Sequence, residues 1–312
     1  MRAWSHSRLL FPLGAKQRYP LPKYALLRER VAASGIAIAE PEPIAWRAVE
    51  ATHDPHFAHR MRRGRLTVRE ERVLGLPWSP ELIARSLAGI GGTLSAARDA
   101  LDGGVGIMLG GGTHHAGRMS ARGFCVFNDV AIVTRELRRE GRARRILAID
   151  LDVHQGDGTA ELLAPDPEAF TLSIQCERNL RFTRIASDLD VELPARTADD
   201  AYMNALDAAL AHAARRFPDP DLILYLAGAD PWEGDRLGRL ALTKPGLRAR
   251  DECVFAFAKA SNIPIAMTLA GGYAPDVADT VDIHAGTVAA AVAAATATGD
   301  APDADIDVDA VV

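Results

Sequence analysis

Arg145-Ile146-Leu147-Ala148-Ile149-Asp150-Leu151-Asp152-Val153-His154-Gln155-Gly156-Asp157-Gly158 decides how the rest of the chain is read. The apolar run Ile146–Ile149 has the pattern of a strand buried on both faces, as parallel sheets require. Asp150, Asp152 and His154 then fall at alternate positions. Continued as a strand, the stretch would line all three along one face at intervals of about 7 Å. Ionised carboxylates inside a sheet are costly unless a cation or a dense hydrogen-bond network compensates them. Two aspartates and a histidine at a strand's end therefore read as metal ligands with a supporting charge. The competing reading is a plain Asp/His turn bent by Gly156 and Gly158.

Working outward, strands and helices alternate. Downstream, Ala169–Gln175, Leu222–Ala227 and Ile263–Ala270 read as strands, with helices over Asp199–Arg216, Pro245–Ser261 and Pro275–Ala295. Upstream, Val105–Leu109 is a strand followed by a glycine-rich loop and a helix at about 127–140. Ser79-Pro80-Glu81 opens a helix to about Asp102, with a capping serine and proline in the first turn. Gly89, Gly91 and Gly92 inside it imply close backbone packing. Shorter helices are expected at Pro22–Ser34, 42–51 and 55–63, with residues 1–20 as loop and the Arg/Glu-rich run Arg60–Arg72 as a solvated helical face. This alternation predicts an α/β fold, a single-domain three-layer sandwich with a central, mostly parallel sheet flanked by helices. The domain is expected over 1–295, with a disordered acidic tail over 296–312.

The 312 residues are 48% hydrophobic and 25% charged with a net charge of −5, which gives no sign of a nucleic-acid or membrane-surface partner. Cys125, Cys176 and Cys253 are scattered without CxxC spacing, which speaks against a disulfide framework or thiolate zinc site. No signal-peptide pattern opens the chain, and the Ala-rich stretch Ala285–Ala295 is too short and weakly apolar to span a bilayer. A cytoplasmic protein is expected.

In open parallel sheets, ligands bind outside the carboxyl ends of the strands. Four unusual loops fall there: Gly110-Gly111-Gly112-Thr113-His114-His115-Ala116, then Asp152 to Asp157, then Gly228-Ala229-Asp230, then Gly271-Gly272-Tyr273. Each has a bland alternative. Adjacent histidines are commonly surface residues, a loop aspartate such as Asp230 can cap a helix, Tyr273 can simply pack, and Asp157 can serve a turn. The glycine-rich loop lacks the lysine and the spacing of phosphate-binding motifs, so a nucleotide site ranks low. Taken together, the four loops form one mechanism. Asp152, His154 and Asp230 make an open three-ligand metal set of the kind catalytic zinc uses. One of His114 and His115 acts as general base and a histidine protonates the leaving amine, with Asp150 and Asp157 orienting the imidazoles. Tyr273 donates to the developing oxyanion. The chemistry is metal-assisted amide hydrolysis.

These blocks, with Gly123-Phe124-Cys125-Val126-Phe127-Asn128-Asp129 and Gly234-Asp235-Arg236-Leu237-Gly238, resemble the histone deacetylase family of the arginase/deacetylase fold over roughly residues 8–290. The resemblance implies zinc (Zn2+) at Asp152, His154 and Asp230, although the same ligands suit ferrous iron (Fe2+). It implies catalytic roles for His114, His115 and Tyr273, an acyl channel lined by Phe124 and the Gly123 carbonyl, and a structural potassium ion (K+) beside Asp150, Asp152, His154 and Ser173. Gln155, the run Glu233–Gly238 and Arg250-Asp251-Glu252 look most like the class IV branch and its bacterial relatives, where removal of long fatty-acyl groups from lysine is the better-supported activity. The loop from Cys176 to Leu193 departs from typical deacetylases and offers only Phe182 as a second channel aromatic. Pro231-Trp232 after Asp230 excludes the second Asp-x-Asp of a binuclear site, so one catalytic metal is expected. The substrate implied is an acylated lysine in a protein or peptide. A small-molecule amidohydrolase acting on acetylated polyamines is an alternative, for which Glu233 is the one acidic candidate at the mouth. A non-catalytic metal-binding relative is disfavoured, because it would need neither the histidine pair nor Tyr273.

Overall fold

The structure, a computed structural model, describes residues 1–14, 19–179 and 182–296. Eight strands form one sheet in the order β2-β1-β3-β8-β7-β4-β5-β6, and every neighbouring pair is parallel. The strands are β1 (Arg2–Trp4), β2 (Ala37–Ala39), β3 (Val105–Met108), β4 (Ile146–Asp150), β5 (Ala169–Cys176), β6 (Leu189–Leu193), β7 (Leu222–Ala227) and β8 (Ile265–Leu269). The helices are α1 (Pro22–Ala33), α2 (Trp46–Thr52), α3 (Pro55–Arg62), α4 (Val68–Leu74), α5 (Pro80–Gly103), α6 (Asp129–Arg139), α7 (Asp157–Leu163), α8 (Asp199–Arg216), α9 (Lys244–Ala260) and α10 (Val277–Thr296).

The two faces of the sheet are buried separately, as the period of 2 dictates. Leu147 and Ile149 of β4 pack with α1, α8, α9 and α10, whereas Ile146 and Ala148 pack with α2, α3, α5, α6 and α7. The result is the expected three-layer sandwich.

Several expectations change. The mostly parallel sheet is wholly parallel, and residues 1–20 are not all loop: Arg2–Trp4 is β1, paired with β2 and β3. Three-residue strands carry too little sequence to show a period. The Cys176–Leu193 loop ends in the edge strand β6, whose Asp190 and Glu192 alternate with apolar residues. Asp150 ends β4 and the chain then bends, so Asp152 and His154 do not continue the strand. Thr67 and Glu70 close a capping box that opens α4 inside the Arg60–Arg72 run, and Arg60 pairs with Glu70. The long helix α5 is capped by Ser79 as expected. Its Gly91 is where a Cβ would meet the Glu42 carbonyl at 1.8 Å, and at Gly92 one would meet Met108 Sδ at 2.3 Å, whereas Gly89 has only ordinary contacts. Helix α10 is 20 residues long and apolar enough to cross a membrane by length and composition, yet most of it is buried against α9 and α1. Of the expected acidic tail, Thr296 ends α10 and the remainder lies outside the described residues.

Candidate active site

Four adjacent strands, β3, β8, β7 and β4, deliver the four singled-out loops to one end of the sheet. Among the described residues, Asp152, His154 and Asp230 form a group whose ligand atoms all lie within 4.8 Å of one another. His154 Nδ1 stands 3.0 Å from Asp152 Oδ1 and 3.3 Å from Asp230 Oδ2. Two glycines permit this convergence: a Cβ at Gly271 would lie 2.0 Å from Asp230 Oδ2, and one at Gly228 would lie 2.7 Å from the Asp152 Cα. Backbone amides aim the carboxylates, Gly271 N–H donating to Asp152 Oδ2 at 2.7 Å and Val153 N–H to Asp230 Oδ1 at 3.0 Å. Asp230 Oδ2 is left buried without a hydrogen-bond partner.

The electrostatics are those of a cation site. Burial, then repulsion from Asp152, pushes Asp230 up to about 7. Burial opposes a charge on His154, but hydrogen bonds and charge from Asp152 and Asp230 outweigh it and push it up to about 10. Burial works against ionised Asp152 too, but the neighbouring histidines hold it well below the usual carboxylate range. Two carboxylates and one imidazole in a buried cluster, with an orphaned oxygen among them, fit a single divalent metal ion of the zinc class.

Both histidines of the glycine-rich loop lie beside this group. His114 Nδ1 bonds Asp150 Oδ2 at 2.7 Å and His115 Nδ1 bonds Asp157 Oδ1 at 2.6 Å, with ring centroids 4.1 Å apart. Their environments separate them. Burial opposes the His114 imidazolium, but Asp150 and Asp152 outweigh it and push it up to about 9, whereas burial and the charge of His114 push His115 down to about 4. Asp157 is the first residue of α7 and fully buried, so its bland alternative, a turn residue, is replaced by the start of a helix.

Tyr273 follows Gly271-Gly272, its backbone N–H held by Asp235 Oδ2 at 2.6 Å, and its ring lies 5.7 Å from that of Phe124. Burial, followed by the charges of Asp230 and Asp152, raises the Tyr273 hydroxyl well above its usual pKa, so it stays a donor. Gly123 and Phe124 are the centre of a tight turn closed by paired Arg122–Cys125 backbone bonds, both with positive φ (56° and 69°). A positive φ is unusual for phenylalanine, and the turn that requires it sets this ring against Tyr19 and Tyr273. Phe182 meets His115 edge-on at 5.4 Å, so the departing loop does supply an aromatic beside His115. Glu233 is exposed, with its backbone paired to Leu242.

Residues that the sequence marked only as family resemblance, with no role attached, hold these parts in place. Asp129 accepts from Gly112 N–H, Thr113 N–H and both the Thr93 and Thr113 hydroxyls, fixing the glycine-rich loop. Asn128 caps α6 and donates to the Ala116 carbonyl and the Thr159 hydroxyl. Gln155 donates to the Ile185 carbonyl and Asp190, tying the Phe182 loop to β6. Buried Arg250 donates to the carbonyls of Leu151 and Gly228, next to the ligand loops. Asp129 and Asn128 sit in a quoted block and could have been read as a capping pair. Gln155 and Arg250 were marked by the resemblance, but their bonding roles were not readable, because their partners are distant in sequence.

Comparison with known proteins identifies the family. The histone deacetylase domain model matches residues 15–288. Histone deacetylase 2 of Arabidopsis thaliana is 32% identical over 259 residues, covering 79% of this chain and 67% of its own. An uncharacterized protein of Picosynechococcus sp. is 39% identical over 287 residues, covering 89% and 94% respectively. The acetoin utilization protein AcuC of Bacillus subtilis is 33% identical over 168 residues, 49% of this chain and 43% of that one. The crystal structure of the HDA15 HD domain superposes with a TM-score of 0.75 at 19% identity, covering 99% of this chain and 92% of that one. The chain belongs to the histone deacetylase family, with its arginase-like α/β fold. It is a hydrolase of that family.

Proposed function

We propose that this protein is a zinc-dependent lysine deacylase that removes acetyl or longer acyl groups from lysine side chains of proteins or peptides. The observation that carries the reading is the convergence of two buried histidine–carboxylate pairs and Tyr273 on one three-ligand cluster. A zinc ion bound by Asp152, His154 and Asp230 would supply Lewis-acid polarisation of the amide carbonyl and a water acidic enough to attack at neutral pH. The chain's own residues do the rest. His115 is held neutral and takes the proton of the attacking water at Nε2, its Nδ1–H fixed by Asp157. His114, kept protonated by Asp150, gives a proton to the departing lysine amine. The Tyr273 hydroxyl donates to the carbonyl oxygen as negative charge develops on it. Phe124 and Phe182 flank the lysine methylenes, and the Gly123 carbonyl accepts the substrate amide N–H.

A second cation fits nearby. Asp150 and Ser173 face each other across β4 and β5, Ser173 Oγ is buried without a partner, and both line a cavity of about 10 Å3. On this reading a structural potassium ion beside Asp150, Asp152, His154 and Ser173 would give that hydroxyl a partner. Gln155 in place of a second histidine and Arg250-Asp251-Glu252 support a class IV-like relationship.

Hydrolysis of one lysine peptide bearing acetyl, octanoyl or myristoyl, alongside N-acetylputrescine, tests the proposal. The expected result is chelator-sensitive release from the peptides and little from the polyamine. A preference for N-acetylputrescine would overturn it.

A further inference from the structure

Arg122 lies outside every role given above, yet its guanidinium closes a ring through the catalytic loop. Its Nε–H donates to the His115 carbonyl at 2.9 Å, and its Nη2 stands 2.9 Å from Asp157 Oδ2. The other oxygen of that carboxylate holds His115 Nδ1. One planar cation thus fastens both the backbone of His115 and the group that orients its ring. We propose that Arg122 is a positioning residue of the reaction, acting through Asp157 to hold the His115 imidazole against the ligand cluster; this rests on the reading of His115 as proton acceptor.

The physical case has three parts. Asp157 is fully buried, and a buried carboxylate with a neutral imidazole as its only side-chain partner would bear a large desolvation cost. Arg122 supplies a compensating charge on Oδ2, which offsets that cost while Oδ1 accepts the His115 N–H. Second, the tight turn at Gly123-Phe124 presents the side chain: Arg122 exchanges both backbone bonds with Cys125, while Gly123 N–H and Phe124 N–H are anchored on the carbonyls of Val73 and Leu74 at the end of α4. Third, the guanidinium lies 5.3 Å over the ring of Phe182, which itself meets His115 edge-on, so the same cation steadies the imidazole from the channel side. Glu161, one turn along α7, approaches the same nitrogen at 3.8 Å. A lysine could reach Asp157 but could not satisfy the His115 carbonyl with the same fork.

The test is a double-mutant cycle of Arg122→Met with Asp157→Asn in the zinc-loaded enzyme, with Arg122→Lys as the conservative variant. Arg122→Met should lower kcat about 10- to 100-fold, with KM and zinc content near wild type. In the Asp157→Asn background it should cost almost nothing further, because the two act as one unit. Arg122→Lys should recover part of kcat. Proton NMR gives a readout independent of turnover: the downfield His115 Nδ1–H resonance should shift or broaden in Arg122→Met. Unchanged kcat, an effect on KM alone, full additivity with Asp157→Asn, or an unmoved resonance would each overturn the proposal. Absence of turnover in the wild type would instead refute the deacylase reading, and the resonance would still decide the placement of Arg122.

Discussion

At the scale of single residues, the site divides into groups that announce themselves and groups that do not. Asp152, His154 and Asp230 were legible because each breaks an apolar strand pattern at its carboxyl end, where charge needs a reason. The His114–Asp150 and His115–Asp157 pairings were readable as a set of carboxylates awaiting imidazoles, and both form. Arg122, Asp235 and Gln155 were not legible, since each acts on a loop tens of residues away or through a turn whose geometry the sequence does not state. Tyr273 belongs to the first group. Its hydroxyl is kept protonated by burial and by the aspartates facing it, so in the proposed reaction it serves as donor to developing negative charge. Tyr273→Phe should therefore lower kcat by about 10²- to 10³-fold while leaving KM and bound metal close to wild type. Steady-state kinetics with metal analysis checks this, and a rise in KM with unchanged kcat would contradict it.

At the scale of elements, the long strands and helices could be read from period and caps, and α8 keeps the expected bounds. The two edge strands, β2 and β6, and β1 beside β2 could not: β1 and β2 are three residues each, and β6 carries charges on an edge. The joints between elements were equally hidden. His53 follows α2, and its ring spans two other segments, with Nδ1 on the Gly117 carbonyl at 2.8 Å and Nε2 accepting the Asn128 N–H at the start of α6 at 3.0 Å. Accepting at Nε2 needs the neutral ring, and burial pushes His53 down to about 4 despite the Gly117 carbonyl. Between the ordinary value of 6.5 and about 4, the unfolded chain binds a proton that the native ring refuses. Stability must then fall as pH falls through that window, by up to about 1.4 kcal/mol per pH unit from this group. His6 and His284, lowered by burial as well, act in the same sense, while Asp230, pushed up, acts in the opposite sense. The difference between His53→Gln and wild type isolates the joint. The variant should be less stable at pH 7 and should lose less on going to pH 5, as measured by urea midpoints. Parallel losses in the two proteins would refute the assignment.

At the scale of the whole molecule, the sandwich was legible because its central strands are nearly continuous apolar runs bounded by glycine and aspartate, which only a sheet covered on both faces accommodates. Strand order was not legible, since it depends on which crossovers skip a position. That order sets the function: β3, β8, β7 and β4 are adjacent, although β8 is the last strand in sequence and β3 the third. The Gly271 loop is thereby brought onto Asp152 and Asp230, and the glycine-rich loop onto Asp150 and Asp157. The central claim is that this convergence holds one metal ion on which amide hydrolysis depends. The most direct measurement is a zinc titration of chelator-treated protein, following turnover of an acyl-lysine peptide, with Asp230→Asn in parallel. Turnover should return in proportion to zinc and saturate at one equivalent per chain, and Asp230→Asn should neither bind zinc tightly nor recover. Turnover that survives complete metal removal, or that needs two equivalents, would contradict it.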